Sequence, residues 1–304
     1  MENIKASEIK TPKFNFDDED SLSHFVKEGF TIYQNVFEGS LVSKIKSLLL
    51  NAYETLIADS KTNNYEVDNN GFAVSIVDEF TKTELYYELM KSKKLHKVLE
   101  NILGPDIAIF DYDALWINVP KETDPVLSKN QHVDAWTGTS VNTIFAKLFF
   151  TDVDDFNGMA VSPRSHLQGL IPVRNREIDP HSNVEFDNLN LNTIKSGDLL
   201  VWHALLVHST VGHSNKNIRI SMTSRFTSTE TEFSSQERAL GYRTLKVGPL
   251  NQILRLIGND LLSPFRTYGG FVGIDRRMAD IYPFSDYKKF INYQNKIKDI
   301  FKGY

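Results

Sequence analysis

Between Gln131 and Thr227 the chain breaks into short apolar runs, among them Thr143 to Phe150, Leu199 to Trp202 and Ile218 to Phe226, separated by Gly, Asn, Asp and Pro turns. Runs this short, rich in β-branched and aromatic side chains and bounded by turn residues, make strands. The segment is therefore expected to fold as a sandwich or small barrel, not as a parallel α/β sheet.

Upstream, Leu22, Phe25 and Val26 have helical spacing, and Leu41, Ile45, Leu48, Leu49 and Tyr53 share one face of an amphipathic stretch from Leu41 to Ile57. Phe30 to Val36 reads as a strand, Asn63 to Gly71 as a loop, and Phe72 to Ile76 as a short strand. A helix is expected over Glu84 to Leu103, stopped by Gly104-Pro105, then one aromatic-rich strand from Ile107 to Val119 and a charged loop from Pro120 to Asn130. Past Thr227 the clearest helical segments are Leu250 to Leu262 and Asp286 to Phe301. With no internal repeat or low-complexity linker, the 304 residues read as one domain, mainly β with flanking helices. Its parts are an N-terminal arm that wraps the surface or frays (1–20), a helical and strand support (21–130), a β core (131–227) and a mostly helical extension (228–304).

Composition narrows the function classes. A hydrophobic content of 41% with 12% aromatics suits a packed core, and a formal net charge of -5 lacks the basic excess that phosphate neutralisation requires, so nucleic acid is not an expected partner. The absence of cysteine excludes disulfides, thiolate zinc sites and iron–sulfur clusters, leaving His, Asp and Glu as metal ligands. No stretch approaches the roughly 20 apolar residues of a membrane helix, and the N-terminus shows no apolar signal core, so a cytoplasmic protein without membrane contact is expected.

His132 and Asp134 are one residue apart, so on a strand both side chains project from the same face and can grip one ion; a strand-end hydrogen bond would use the same spacing. The later segment Gly197-Asp198-Leu-Leu-Val-Trp-His to His208, and on through a Gly/Asn-rich turn to Arg219-Ile-Ser221, adds to the pair. Read as a hairpin, it brings His208 and Arg219 together by antiparallel pairing. Two His and one carboxylate form the facial triad of non-haem ferrous oxygenases, which leaves three positions open: two for a chelating 2-oxo acid and one for dioxygen. The far carboxylate of 2-oxoglutarate then suits the bidentate guanidinium of Arg219, and Ser221, on the same strand face, can donate a hydroxyl hydrogen bond to it. His203 and His213 compete for the third-ligand role, but His213 falls near the turn and His203 lies sixteen positions from Arg219, so His208 is preferred.

These residues give the chain a resemblance to the phytanoyl-CoA dioxygenase family of Fe(II)/2-oxoglutarate oxygenases. The likeness runs from about Phe25 to Phe226 and is sharpest in His132-Val-Asp134, Asn157-Gly158-Met-Ala, Ser162-Pro-Arg-Ser-His166, Gly197-Asp198-Leu-Leu and His208 through Arg219-Ile-Ser221. It implies a double-stranded β-helix (a cupin-like jelly roll), iron on His132, Asp134 and His208, and 2-oxoglutarate on Arg219. It also implies that the strand of Lys147 lines the co-substrate pocket, where this lone Lys pairs with a 2-oxoglutarate carboxylate; exposure at a sheet edge is the alternative reading. Family members commonly carry Pro-Gly-Ser-His where this chain has Pro163-Arg164-Ser165-His166, and a small residue often follows the distal His where this chain has Ser209. Halogenase relatives replace the carboxylate ligand by a small residue, so Asp134 argues for hydroxylation or desaturation.

The expected protein is thus a dioxygenase using Fe(II), 2-oxoglutarate and dioxygen to hydroxylate an unactivated C–H bond of a small, polar metabolite, with succinate and carbon dioxide as co-products, working as a monomer or homodimer. Trp136 is a candidate for shaping the substrate pocket, with plain packing the alternative. Arg164, His166, Arg174 and Arg176 form a basic stretch able to meet an anionic substrate group or simply solvent. Asp152, Asp154 and Asp155 make an acidic turn without the glycine-centred form of a calcium loop. The loop from Pro120 to Asn130 and the segment from Arg174 to Leu191 are the natural lids, and Tyr268-Gly-Gly-Phe suggests a dimer surface or cover. A non-catalytic cupin-like metal binder or sensor and a zinc hydrolase are the competing classes; the first has no need of Arg219 with Ser221, and the second lacks a general base of the His-Glu-x-x-His kind.

Overall fold

The computed structural model describes residues 11–64, 69–111, 113–118, 131–153, 158–174, 177–179, 186–210, 218–234, 241–256, 300–302 and 304. In chain order the elements are β1 (Lys13–Phe14), α1 (Asp20–Glu28), β2 (Phe30–Tyr33), α2 (Gly39–Thr62), α3 (Asn69–Phe80), α4 (Glu84–Met90), α5 (Lys93–Leu103), β3 (Ile107–Phe110) and β4 (Ala114–Asn118). There follow β5 (Ile144–Phe149), β6 (Met159–Val161), β7 (Val173–Arg174), β8 (Glu177–Ile178), β9 (Leu189–Leu191), β10 (Leu199–His203), β11 (His208–Thr210), β12 (Arg219–Ser228), β13 (Tyr242–Lys246) and α6 (Pro249–Leu256).

The major sheet runs β1-β2-β10-β5-β12-β3-β13, with β4 also on β12. The long β12 makes this possible by sharing one edge between two partners. Its first half pairs antiparallel with β4, from Arg219 opposite Asn118 to Thr223 opposite Ala114, and its end pairs with β3 from Phe226 opposite Ile109. The minor sheet is β11-β6-β9, extended by a bridge between His132 and His208.

Strand alternation sorts the major sheet into two faces. Ile144, Ala146, Leu148, Leu199, Val201, Ile220 and Met222 join the buried residues of α2, α3 and α5 in one core. Phe145, Phe149, Leu200 and Trp202 turn the other way and pack with Met159, Val161 and Leu191 of the minor sheet. Two sheets facing across an apolar layer, backed by helices on one outer face, are what the β-rich texture and its helical flanks lead one to expect.

Several local expectations change. Phe72 to Ile76 is not a strand but part of α3, because the apolar pattern continues through Ile76, Val77 and Phe80 at helical spacing, and all three are buried. The helix expected over Glu84 to Leu103 is two: Thr83 and Ser92 each accept a backbone N–H, from Tyr86 and Leu95, and so each caps a new helix. Ile107 to Val119 is likewise two strands, β3 and β4. In α1 the buried face holds Ser21, Phe25 and Glu28, while Leu22 and Val26 are exposed. The N-terminal arm contributes β1, parallel to β2, and the C-terminal extension contributes β13 to the sheet edge. The expected Pro120 to Asn130 lid and Tyr268-Gly-Gly-Phe lie outside the described residues; the expected Leu250 to Leu262 helix is described as far as Leu256, in α6, and of the expected Asp286 to Phe301 helix only residues 300–301 are described. No described helix is long and apolar enough to cross a membrane.

Candidate active site

His132 and His208 face each other from paired backbone: the N–H of His132 donates to the His208 carbonyl at 3.0 Å and the return bond is 2.9 Å. Their rings lie 4.3 Å apart. Sequence spacing places His132 and Asp134 on one strand, whereas the structure ends the extended backbone at Val133 and starts a 3-10 turn at Asp134 (Asp134–Thr137). The same-side projection survives because Val133, extended between them, is buried against Ile171 and Val207. One ligand atom from each of His132, Asp134 and His208 lies within 4.8 Å of the others, and among the described residues they are the group of His and acidic side chains able to share one ion.

The surroundings aim these atoms. Nδ1 of His208 lies 3.0 Å from the Leu206 carbonyl, which can only accept, so Nδ1 carries the proton and Nε2 keeps its lone pair. That Nε2 is 3.5 Å from Oδ2 of Asp134. The same Oδ2 accepts a 2.9 Å hydrogen bond from the indole N–H of Trp202, whose ring stacks on Phe145. Burial alone would raise the Asp134 carboxyl, but the charge that His208 and His132 carry when protonated, the Arg225 charge and the Trp202 hydrogen bond outweigh it and hold the group below the usual carboxylate range. An anionic oxygen and two imidazole lone pairs suit a hard to borderline divalent ion.

Trp202 carries a prediction. Trp202→Phe preserves the apolar stacking but removes the N–H that orients Asp134, and should weaken ferrous iron binding by about 10- to 100-fold with little change in thermal unfolding. Anaerobic iron titration beside a melting curve measures both.

Arg219, Ser221 and Lys147 sit on the inner face of the major sheet, Lys147 directly opposite Thr223 of β12. Arg219 is 2% exposed; its Nε and Nη2 donate to Oδ1 of Asn118 at 3.2 and 2.8 Å, and its Nη1 to the Gly158 carbonyl at 2.9 Å. The guanidinium thus ties the major sheet to the entry of β6. Hairpin pairing does not bring it there: His208 lies on β11 in the minor sheet and Arg219 on β12 in the major sheet. Lys147 is on a central strand and 7% exposed, which removes the sheet-edge reading. Its ammonium lies 5.5 Å from the Trp116 ring and 5.9 Å from the Trp202 ring, the cation–π range. The Ser221 and Thr223 hydroxyls are buried with no hydrogen-bond partner among the described residues, an arrangement that costs about 1–3 kcal/mol per group unless a bound acceptor satisfies it.

The other candidates separate cleanly. His203 is turned away from the triad, its ring 5.4 Å from that of His166, and burial with the His166 charge lowers it to about 4. The side chains of Trp136 and Arg174, and all of His213, Arg176, Asp154 and Asp155, lie outside the described residues. Asp152 accepts from Lys195 and the Ser196 N–H.

Arg164 is not part of a basic surface for substrate: its guanidinium forks onto buried Glu28, with bonds of 2.9 and 2.8 Å. Its backbone is left-handed, φ 67°, which glycine adopts freely, so the family's usual glycine fits this position and the ion pair offsets the strain of an Arg. Arg164→Gly leaves the buried Glu28 carboxylate only the exposed Lys27 ammonium at 3.7 Å, which should cost about 2–3 kcal/mol, discounted for the partly exposed Arg, and it should regain about 1 kcal/mol of backbone strain. The net loss, read by urea unfolding, should largely disappear when Glu28→Gln is added.

Sequence reading missed Trp202, Asn118 and Arg225. Each is on the inner face by alternation with a residue already chosen, Trp202 opposite Phe145 and Asn118 opposite Arg219, so a register would have found them.

The sequence profile of the phytanoyl-CoA dioxygenase (PhyH) family matches residues 25–221. Among solved structures, the epimerase SnoN in complex with Fe3+, alpha ketoglutarate and nogalamycin RO superimposes with a TM-score of 0.53 at 16% identity, covering 69% of this chain and 83% of that one. The non-heme monooxygenase ThoJ in its apo form gives 0.57 at 15% identity over 92% and 98% of the two chains. The non-heme alpha ketoglutarate dependent carbocyclase SnoK gives 0.53 at 12% over 87% and 98%. At such identities the likeness speaks for the fold, a double-stranded β-helix. No curated protein matches the chain significantly in sequence.

Proposed function

The chain belongs to the phytanoyl-CoA dioxygenase family, and from that premise we propose that it is a ferrous-iron- and 2-oxoglutarate-dependent dioxygenase that hydroxylates an unactivated C–H bond of a small, polar metabolite. The observation that carries this reading is the grouping of His132, Asp134 and His208, with Nε2 of His208 freed by Leu206, joined through Trp202 to an inner sheet face that bears Arg219, Lys147 and the Ser221 hydroxyl, which has no hydrogen-bond partner among the described residues. Bound together, ferrous iron, 2-oxoglutarate and dioxygen supply the oxidant, with succinate and carbon dioxide as co-products.

The protein's own share follows from its geometry. His132, Asp134 and His208 would hold the metal and, being three ligands, would leave coordination positions for the co-substrate. Arg219, already oriented by Asn118 and Gly158, meets the far carboxylate of the co-substrate with little entropy left to lose, and the Ser221 hydroxyl donates to the same group. Lys147 adds charge to that end of the pocket. Phe145, Phe149 and Trp202 line the wall between the sheets and exclude water. A metal-binding sensor would need the triad but neither the clamp nor the buried hydroxyl beside it.

Small-molecule chemistry fits the solved relatives, whose names specify an epimerase, a monooxygenase and a carbocyclase. Hydroxylation is favoured by the carboxylate ligand Asp134. The test is anaerobic: adding Fe(II) and 2-oxoglutarate together should produce a weak visible charge-transfer band that neither gives alone, and admitting dioxygen with a substrate should release succinate. A protein that binds iron but shows no such band is the sensor instead. With labelled dioxygen, a product carrying one labelled oxygen marks hydroxylation, and an unlabelled product marks an epimerase or cyclase outcome.

A further inference from the structure

The site holds a side chain that its own chemistry endangers. Trp202 is 2% exposed and touches two of the three candidate ligands: its indole N–H donates to Oδ2 of Asp134 at 2.9 Å, and its ring lies 5.5 Å from that of His208. The indole therefore borders the place where the ligands converge. It is also fixed there. The ring stacks on Phe145, and the Lys147 ammonium lies 5.9 Å from its centroid, so in a close-packed wall it cannot turn away.

An oxidant made at such a centre is meant for a substrate C–H bond, and the enclosing wall ordinarily keeps it from other fates. When co-substrate and dioxygen react with no primary substrate present, the wall itself is what the oxidant meets. Of the rings that form this wall, Phe145, Phe149 and Trp202, the indole is the most electron-rich and the readiest to take up oxygen. The chain has no cysteine to intercept oxygen first. Met159 is the competing group, since a thioether is also oxidised readily. It packs in the same apolar layer, but it pairs with Thr210, two positions along β11 from His208. Trp116 is an internal control: its ring lies 5.5 Å from the same ammonium, yet it stands on β4, opposite Ser221 and across the sheet from Trp202.

We propose that Trp202 is a self-modification site, whose indole receives one oxygen atom when the centre turns over without a primary substrate. This rests on the iron and 2-oxoglutarate reading above. The balance is that of the main reaction with the indole as substrate. One atom of dioxygen converts an indole C–H bond to C–OH, the other enters the new carboxylate of succinate, and carbon dioxide leaves from the 2-oxo acid. Two electrons come from the indole and two from the co-substrate. The chain thereby keeps, beside its ligands, a covalent record of uncoupled turnover.

The test begins with the full chain loaded anaerobically with Fe(II) and 2-oxoglutarate. Absence of the visible band at this stage would fail the underlying reading, and this proposal with it; every later failure, with the band present, falls on this proposal alone. Before dioxygen enters, the indole N–H signal of Trp202, identified by its absence from Trp202→Phe, should broaden away in the nitrogen-labelled NMR spectrum on adding Fe(II), and should persist with Zn(II). A signal unaffected by Fe(II) overturns the proposal. Labelled dioxygen is then admitted with catalase and no primary substrate, and the digested chain is mapped by mass. The peptide of Trp202 should gain one labelled oxygen, tenfold or more above the peptide of Trp116, and only when Fe(II) and 2-oxoglutarate are both present. Zn(II), which has no redox chemistry, should give none. An unmodified Trp202, label placed in preference on Met159 or Trp136, equal label on Trp116, or label without 2-oxoglutarate overturns the proposal.

Discussion

The His208→Ala protein is expected to fold and to lose ferrous iron. The side chain is buried, but the fold's use of residue 208 is through its backbone, which pairs with His132 on one side and with Val161 on the other. Alanine keeps those bonds. What it removes is the one imidazole whose Nε2 is aimed at Asp134 by the Leu206 carbonyl. Residues that merely orient a ligand typically cost 10- to 100-fold in metal affinity, so loss of a ligand should exceed about 100-fold, and turnover should vanish at micromolar iron. Without the metal 2-oxoglutarate loses its chelating partner and should bind weakly as well. Circular dichroism and thermal unfolding of the metal-free variant against metal-free wild type, with an anaerobic iron titration, separate loss of a ligand from loss of fold. Near-normal iron affinity in a folded His208→Ala protein would sink the assignment and direct attention to His213.

Arg219→Ala should show the complementary pattern, with iron bound and 2-oxoglutarate lost. A forked pair of charge-assisted hydrogen bonds contributes roughly 3–4 kcal/mol, so co-substrate affinity should fall about 100- to 1,000-fold while iron affinity stays within a few-fold. Arg219→Lys should recover only part, since a point charge cannot fork onto a carboxylate. A stability loss of about 1–3 kcal/mol should accompany the alanine variant, because the Asn118 amide oxygen and the Gly158 carbonyl lose their donor. Titrating 2-oxoglutarate at saturating iron and following the visible band gives the affinity directly. Unchanged 2-oxoglutarate affinity would leave the guanidinium as a structural tie between the sheets and nothing more.

Much of this arrangement is legible in the linear sequence, and the parts that are not share a physical cause. Alternation correctly turns Arg219 and Ser221 to one face of their strand, since strand period depends only on local backbone. It does not reveal which strands are neighbours. The segment from His208 to Arg219 therefore reads as a hairpin although its two strands belong to different sheets, as happens when a jelly roll sends successive strands to opposite layers. Trp202 and Asn118 are invisible for the same reason: their roles exist only once β10 lies beside β5 and β12 beside β4. α3 is misread because Phe72 to Ile76, taken alone, is too short to tell a period of two from one of 3.6. Thr83 and Ser92 do carry a local signal, since both are side-chain caps before apolar runs, and weighing them would have split the helix correctly.

The shared strand β12 has a further meaning for how such a protein changes its chemistry. Pairing with β5 along one edge and with β4 and β3 along the other clamps its register on both sides, so slippage by one residue would turn every inner side chain outward. The interval between Arg219 and Arg225 is then a ruled distance, set by backbone rise and indifferent to the loops at either end. Insertions in those loops can resize the opening without altering how far apart two charged groups are held. A cation moved two positions along β12 would keep the same face and shift by about 7 Å, a change that no lengthening of a loop reproduces.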